Sequence, residues 1–338
     1  MSTEGSAHGK VILFGEHAVV YGVPAIAVGI DRGARASATP IGDGRPGPST
    51  LRVRSGAAPA GSSRDWNMSV RDDDTETPPA RAFADLLAVT RDAGVALGAV
   101  AVDVEADLPP GGGLGCSAAL GVAIARALDP SASPEVIAQR AGAWEGVFHG
   151  NASGVDAAVA SLGGCVLFER GDAARAATVT RIRVPAPVHL CIGNSGQASS
   201  TRSMVEAVAR LRERRPDTTQ RTFDAIHTLV KNARLAIEAA DRNAIGQLLD
   251  LNQMLLSGLF VSTPEIEQMC GSARAAGALG AKLTGAGGGG CVVALVDQPD
   301  IGAKVLSAWK ADGFDGFLTT FGAPAVARRS STSLGGTP

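Results

Sequence analysis

The stretch GGGLGCSAALGVAIARAL, residues 111–128, sets a run of glycines against the start of an alanine-rich apolar segment. Before it stands AVAVDVEADLPP (99–110), whose alternation predicts a strand that stops at the double proline. The order is therefore strand, turn, glycine loop, helix. Glycine tolerates positive φ and lets the backbone come close to a ligand. Successive N–H groups can converge on an anion there, and the helix N-terminus behind them adds a favourable dipole. Phosphate is the guest that suits this chemistry. Ser117 falls in the first helical turn, where a hydroxyl either caps the helix or ligates a metal. Taken alone, a purely structural glycine turn fits the run equally well.

Other glycine motifs narrow the choice. GxxxxGK[ST] is absent, which excludes a Walker P-loop. Gly113 to Ala118 fits a relaxed GxGxxA, but a dinucleotide fold needs a second strand ending in an acid about 20 residues on. DPSASPE (129–135) and another helical pattern stand there instead. A second run, GAGGGG (285–290), is followed by the strand-like CVVALV (291–296), so no helix dipole points into it. It reads as a tight strand–loop–strand turn that admits close backbone approach to a ligand.

Further out, KVILFG (10–15) and PAIAVGI (24–30) read as buried strands. Residues 40–80, rich in Pro, Gly, Ser and Asp, form a long excursion with short strands at TLRVRS (50–55) and RDWNMSV (64–70) and an acidic patch at RDDDTE (71–76). The spacing of Phe83, Leu86, Leu87 and Val95 predicts a helix, and further helices are expected at 116–128, 134–149 and 153–161. GCVLFER (164–170) and VHLCIGNS (188–195) read as strands, and residues 201–277 as four helical pieces beginning at 201, 222, 242 and 263. Strands AKLTG (281–285) and CVVALV, a helix near 300–312 and GFLTTF (316–321) close the pattern. No repeat of fixed period is present. Strands early, helices later and strands again at the end argue for an α+β fold with two lobes, 1–187 and 188–325, and a frayed tail at 326–338.

The chain has 338 residues, 45% hydrophobic and 19% charged, enough to bury a sizeable core. A net charge of −2 offers no general attraction to nucleic acid or to an anionic membrane. Five scattered cysteines without CxxC spacing argue against a disulfide framework or zinc site and fit a reducing cytosol. No basic stretch precedes a long apolar one, so neither signal peptide nor membrane span is expected, and a cytoplasmic enzyme is the resulting expectation. Lysine is scarce, at 10, 231, 282, 304 and 310 only, which makes each one more informative.

Four charged or hydroxyl groups complete the picture. Lys10 opens the first apolar strand and GEH (15–17) follows it, while Glu145 and Asp156 bracket GVFHGNASGV. A kinase for small molecules needs an amide cradle for phosphates, oxygen ligands for Mg²⁺, a cation near the transferred phosphoryl group and a carboxylate near the acceptor hydroxyl. The glycine loop, Ser117 with Glu145, Lys10 and Asp156 match those parts. Singly, each has a plainer reading: a solvated strand end, an exposed helix residue, a helix cap.

Three motifs in order, GKVILFGEHAVVYGVPAIAVGI, PPGGGLGCSAAL and KLTGAGGGGCVVALV, resemble the signatures of the GHMP kinases, a superfamily that includes galactokinases and homoserine, mevalonate and phosphomevalonate kinases. The opening motif, HGNASGVDAAV (149–159) and the late KLTGAGGGGC resemble the mevalonate kinases in particular. The resemblance implies an N-terminal lobe like ribosomal protein S5 and a ferredoxin-like C-terminal lobe, with ATP and Mg²⁺ bound between them. It implies that Pro110, Gly111, Gly112, Gly113, Leu114, Gly115, Cys116 and Ser117 wrap the ATP phosphates, and that Ser117 and Glu145 hold the metal. Asp156 would take the proton of the acceptor C5 hydroxyl beside Lys10, with Glu16, His17, Thr201, Gly285, Ala286 and Gly287 on the acceptor side. A homodimer follows by analogy with the family.

Departures bear on the acceptor. Cys116 replaces the first of the usual two serines, and GNSGQASSTR (193–202) lacks the basic residue found before Thr201 in eukaryotic mevalonate kinases. Another small alcohol, such as phosphomevalonate or a sugar, is the rival substrate. A catalytically inactive ligand sensor of the same fold is the rival class, opposed by the presence of both Lys10 and Asp156.

Overall fold

The computed structural model describes residues 2–42, 47–55, 68–74, 76–108, 112–149, 154–171, 177–197 and 200–322. Two long strands, β1 (Thr3–Phe14) and β2 (Ala25–Pro40), pair antiparallel and form the spine of a seven-stranded sheet. The free side of β2 is shared. Its first residues take β6 (Cys165–Glu169) and its last take β5 (Val100–Ala106). β3 (Thr50–Ser55) lies parallel to β5, while β4 (Met68–Arg71) and β7 (Thr178–Arg181) end the row β4–β3–β5–β2–β6–β7, with β1 paired to β2 off that row. Val11 to Phe14 are buried without alternation, because α2 (Cys116–Leu128) and α4 (Val155–Leu162) pack on β1 and other elements meet it from the C-terminal half. A register shift between His8 and Gly9 puts a bulge just ahead of Lys10.

α1 (Pro78–Asp92), α2, α3 (Pro134–His149) and α4 pack among themselves, and α2 lies directly on β1 and β2. α2 is apolar on nearly all sides, as a central helix must be. Gly121 admits the Trp144 indole of α3, since a Cβ there would lie 2.7 Å from its Cδ1.

A second, four-stranded antiparallel sheet has the order β11 (Asp315–Phe321), β8 (Val188–Asn194), β10 (Cys291–Val296), β9 (Gly280–Thr284). Helices α5 (Thr201–Arg214), α6 (Pro216–Glu238), α7 (Arg242–Gly258), α8 (Pro264–Ala275) and α9 (Pro299–Ala311) accompany it. One hydrophobic cluster runs from Val11 and Leu120 to Leu283, Val293 and Trp309, so the two sheets share a core. Thr284 exchanges hydrogen bonds of 3.0 Å with the N–H and carbonyl of Ile12, and Thr319 donates to Asp31 at 2.6 Å. No helix among the described residues is long and apolar enough to cross a membrane.

The α+β expectation holds, with local differences in single elements. β1 begins at Thr3, seven residues before the apolar run, because TEGSAH alternates as a half-exposed strand. β7 carries no apolar alternation and was not expected; it is a four-residue edge strand. α6 begins at Pro216 rather than 222, with proline in the first turn where its missing N–H is harmless. The expected helix at 153–161 is found at Val155–Leu162, opened by Gly154 at φ 82°. Residues 64–67 of the expected strand and the tail lie outside the described residues.

Candidate active site

The bulge and the glycine loop fix Lys10. Its backbone N–H donates to Leu114 O at 2.9 Å, stitching β1 to the loop before α2. Gly115 stands at φ 71°, and a Cβ there would come within 2.8 Å of Lys10 Cγ. The loop therefore needs glycine for two reasons at once: the left-handed backbone and the space its lysine occupies. With its stem walled in, the Lys10 ammonium reaches Asp156 Oδ1 at 3.1 Å. The lysine side chain is 5% exposed and the aspartate 35%, so the pair has one open side. Asp156 lies in the first turn of α4, where the helix dipole also attracts its carboxylate.

Ser117 does not cap α2; the N-cap is Gly115, and no side chain accepts there. Its hydroxyl donates instead to Glu145 Oε1 on α3 at 2.5 Å. Glu145 is pushed up to about 7, chiefly by burial and partly by the nearby Asp156 charge, against the pull of Ser117 and Lys10. Ser117, Glu145, Lys10 and Asp156 thus form one electrostatic cluster carried by four elements. The Ser117–Glu145 pair offers hard oxygen donors, and among the described residues no three His, Cys, Asp or Glu gather as a complete cage. That set suits Mg²⁺, which is commonly held by one carboxylate plus substrate phosphates and water. Cys116 is buried, and burial with the Glu145 charge pushes its thiol up to about 12, leaving it a poor nucleophile.

The second glycine loop faces the first. A Cβ on Gly285 would lie 3.5 Å from Gly113 Cα, and one on Gly290 would lie 3.4 Å from Gly112 O. The loop is tied down by Gly288 N–H to Val261 O at 2.7 Å and Gly290 N–H to Gln197 O at 2.8 Å. His17 holds it from the N-terminal side: Nε2–H donates to Ala286 O at 2.8 Å. Burial lowers the His17 pKa, and the carbonyl only partly offsets it, which favours the neutral ring. His17 adopts φ 60°, unusual for a non-glycine residue. Gly287 passes against Val261, and Gly288 leaves room for Met204 Sδ in the first turn of α5. Thr201 opens that helix and is exposed, one residue after the N-cap Ser200.

Glu16 differs from its neighbours. It is buried, with Oε1 paired to the Lys282 ammonium and Oε2 accepting from Asn252 Nδ2 at 3.2 Å. Lys282 also donates to Leu283 O at 2.6 Å, and burial pulls its pKa below the ordinary value against the opposing pull of Glu16. Sequence reading passed over Lys282 and Asn252. The signal for Lys282 was available, a rare lysine just ahead of the second glycine run; Asn252 lies in an ordinary helical pattern and gave none.

Of the residues read from sequence, Lys10, Asp156, Ser117, Glu145 and Gly112 to Cys116 are gathered at one place. Gly285 faces Gly113 across the loop contact, whereas Ala286 is bound by His17, Gly287 lies against Val261, and Glu16 is buried against Lys282 and Asn252. Pro110 and Gly111 lie outside the described residues.

Comparison with known proteins bears on this arrangement. Residues 80–164 match the family model for the GHMP kinases N terminal domain, and residues 233–315 match that for GHMP kinases C terminal. A mevalonate kinase of Thermococcus sibiricus is 31% identical over 93% of this chain and 94% of its own. A mevalonate kinase of Methanothermobacter thermautotrophicus is 33% identical over 92% of this chain and 96% of its own. The crystal structure of L. major mevalonate kinase in complex with R-mevalonate superposes with a TM-score of 0.78 at 29% identity, covering 94% of this chain and 95% of that one.

Proposed function

The chain belongs to the GHMP kinases, and within them to the mevalonate kinase family, and on that premise we propose that it transfers the γ-phosphoryl group of ATP to the 5-hydroxyl of mevalonate, giving 5-phosphomevalonate. The observation that carries the assignment of the chemistry to this site is the 3.1 Å contact between Lys10 and Asp156 beside two facing glycine loops.

In this reading the backbone amides of the 112–117 segment hold the triphosphate at the N-terminus of α2. Asp156 accepts the proton of the acceptor hydroxyl. A carboxylate is a weak base for an alcohol, so proton transfer comes late and most of the rate arises from positioning and charge neutralisation. The Lys10 ammonium, a compact point charge, stabilises the forming oxyanion and the moving phosphoryl group. Ser117 and Glu145 would hold Mg²⁺, which when bound supplies charge neutralisation of the phosphate oxygens. Gly285, Ala286 and Gly287 close over the reacting groups, with His17 and Thr201 on the acceptor side. Glu16, expected from sequence on the acceptor side, is buried and bound to Lys282 and Asn252, and in this reading it holds the turn. Five free, buried cysteines fit a reducing, cytoplasmic setting.

An ADP-release assay against mevalonate, phosphomevalonate, homoserine and galactose tests this directly. Mevalonate is expected to give the highest kcat/KM. A higher value for any other acceptor reassigns the substrate, and absence of ADP release with all four removes the enzymatic reading.

A further inference from the structure

Two features that lower stability converge on one carboxylate. Lys282 and Glu16 are both fully shielded, and an ion pair removed from water gives no net gain over well-packed apolar residues of the same size. Asn252 turns its amide N–H toward Glu16 Oε2 and leaves its own buried Oδ1 without a hydrogen-bond partner. A core selected for stability alone has no use for either arrangement. What both do is hold Glu16 in one position. Glu16 sits between Gly15 at φ 100° and His17 at φ 60°, in the turn that ends β1. His17 then grips Ala286 of the second glycine loop. Two residues beyond Lys282 on β9, Thr284 clasps Ile12 of β1, two residues beyond Lys10.

We propose that Lys282 and Asn252 are positioning residues for phosphoryl transfer: through Glu16 they lock the 15–17 turn against β9, and thereby set the 285–290 loop relative to Lys10 and Asp156. This rests on the kinase reading of the same site. The three braces, Thr284 to Ile12, Lys282 to Glu16 and His17 to Ala286, all join β1 and its turn to β9 and its loop. Only the middle one joins two charged groups, and both are fully shielded from water.

The test compares Lys282→Met, the double variant Glu16→Gln with Lys282→Met, and Asn252→Ala. Each is read by thermal unfolding, by kcat and KM for ATP and acceptor, and by hydrogen exchange of the peptide covering 284–291. The single Lys282→Met leaves a buried unpaired carboxylate and is expected to lose stability. The double variant removes both charges and is expected to recover a Tm within about 5 °C of the parent, as neutral replacements of buried pairs do. Its kcat is expected to stay about 10- to 100-fold low, the scale of a misplacement near 1 Å, with KM for ATP nearly unchanged and faster exchange in 284–291. Recovery of kcat together with Tm would show the pair to be core filling only. Should the double variant fail to fold, Asn252→Ala decides: parental kcat and parental exchange in 284–291 overturn the proposal, a lower kcat with faster exchange supports it. The parent's own turnover with mevalonate reads the kinase assignment, and the exchange measurement reads the positioning role without any substrate, so the two ideas fail separately.

Discussion

At the scale of single residues, the site is a set of charges whose neighbours decide what each can do. Asp156 touches Lys10 and remains open on one side, as a group that must meet a substrate should. Asp156→Ala is expected to lower kcat about 10²- to 10⁴-fold while ATP affinity, measured by calorimetry, stays within a few-fold. Near-parental turnover would remove Asp156 from the chemistry. Glu145 carries the opposite lesson. Its folded-state pKa is raised to about 7 from an ordinary 4.5, so the metal-free folded protein binds a proton there more tightly than the unfolded chain does. This group's contribution is therefore most favourable below about pH 4.5 and is lost as pH rises through 7. Glu145→Gln is expected to raise the metal-free stability at pH 8 by about 1–3 kcal/mol, measured by urea unfolding, and to raise the Mg²⁺ concentration needed for half-maximal activity. An unchanged Mg²⁺ titration would count against the ligand role.

At the scale of elements, the glycine loop and β1 act as one part. Gly115 and Gly22 both adopt left-handed backbone, at φ 71° and 87°, but their surroundings differ. A Cβ at Gly115 meets Lys10 Cγ at 2.8 Å, whereas one at Gly22 meets nothing within 4 Å. Alanine at either position is expected to cost about 1–2 kcal/mol of backbone strain. Only Gly115→Ala should also displace Lys10, cutting kcat at least about 10-fold. Equal kcat values for the two variants would sever the link between loop and lysine. The same element explains Ser117: with Gly115 serving as N-cap, the hydroxyl is released from capping and turns to Glu145.

At the scale of the whole molecule, two sheets built from residues 3–181 and 188–321 share one hydrophobic cluster and meet through polar ties at Ile12, Asp31 and Glu16. Arg32 adds a cation–π contact, its guanidinium 3.9 Å from the Phe317 ring centroid. Thermal unfolding followed by calorimetry is expected to give a single transition whose van't Hoff and calorimetric enthalpies agree. Two resolved transitions would show that the halves are energetically independent. Much of this architecture is legible in residue order. The strands at 100–106 and 291–296 and the helices at 116–128 and 134–149 follow from period and turn chemistry, which are local properties. β7 is not legible, because TVTR offers Val179 as its one apolar contact and forms a strand by pairing with β6.

The sequence by itself determined which parts are present: glycine runs that only a close-approaching backbone needs, one lysine ahead of a buried strand, and acids on either side of a helix start. These are matters of composition and spacing, and spacing along the chain carries them in full. Only the tertiary structure decided which charges meet. Glu16 and Lys282 stand 266 positions apart, and Lys10 and Asp156 draw on different elements, so no periodicity connects them. Their pairing depends on two sheets packing through a common core, and the energy of that packing is a sum over many distant contacts that no local stretch records.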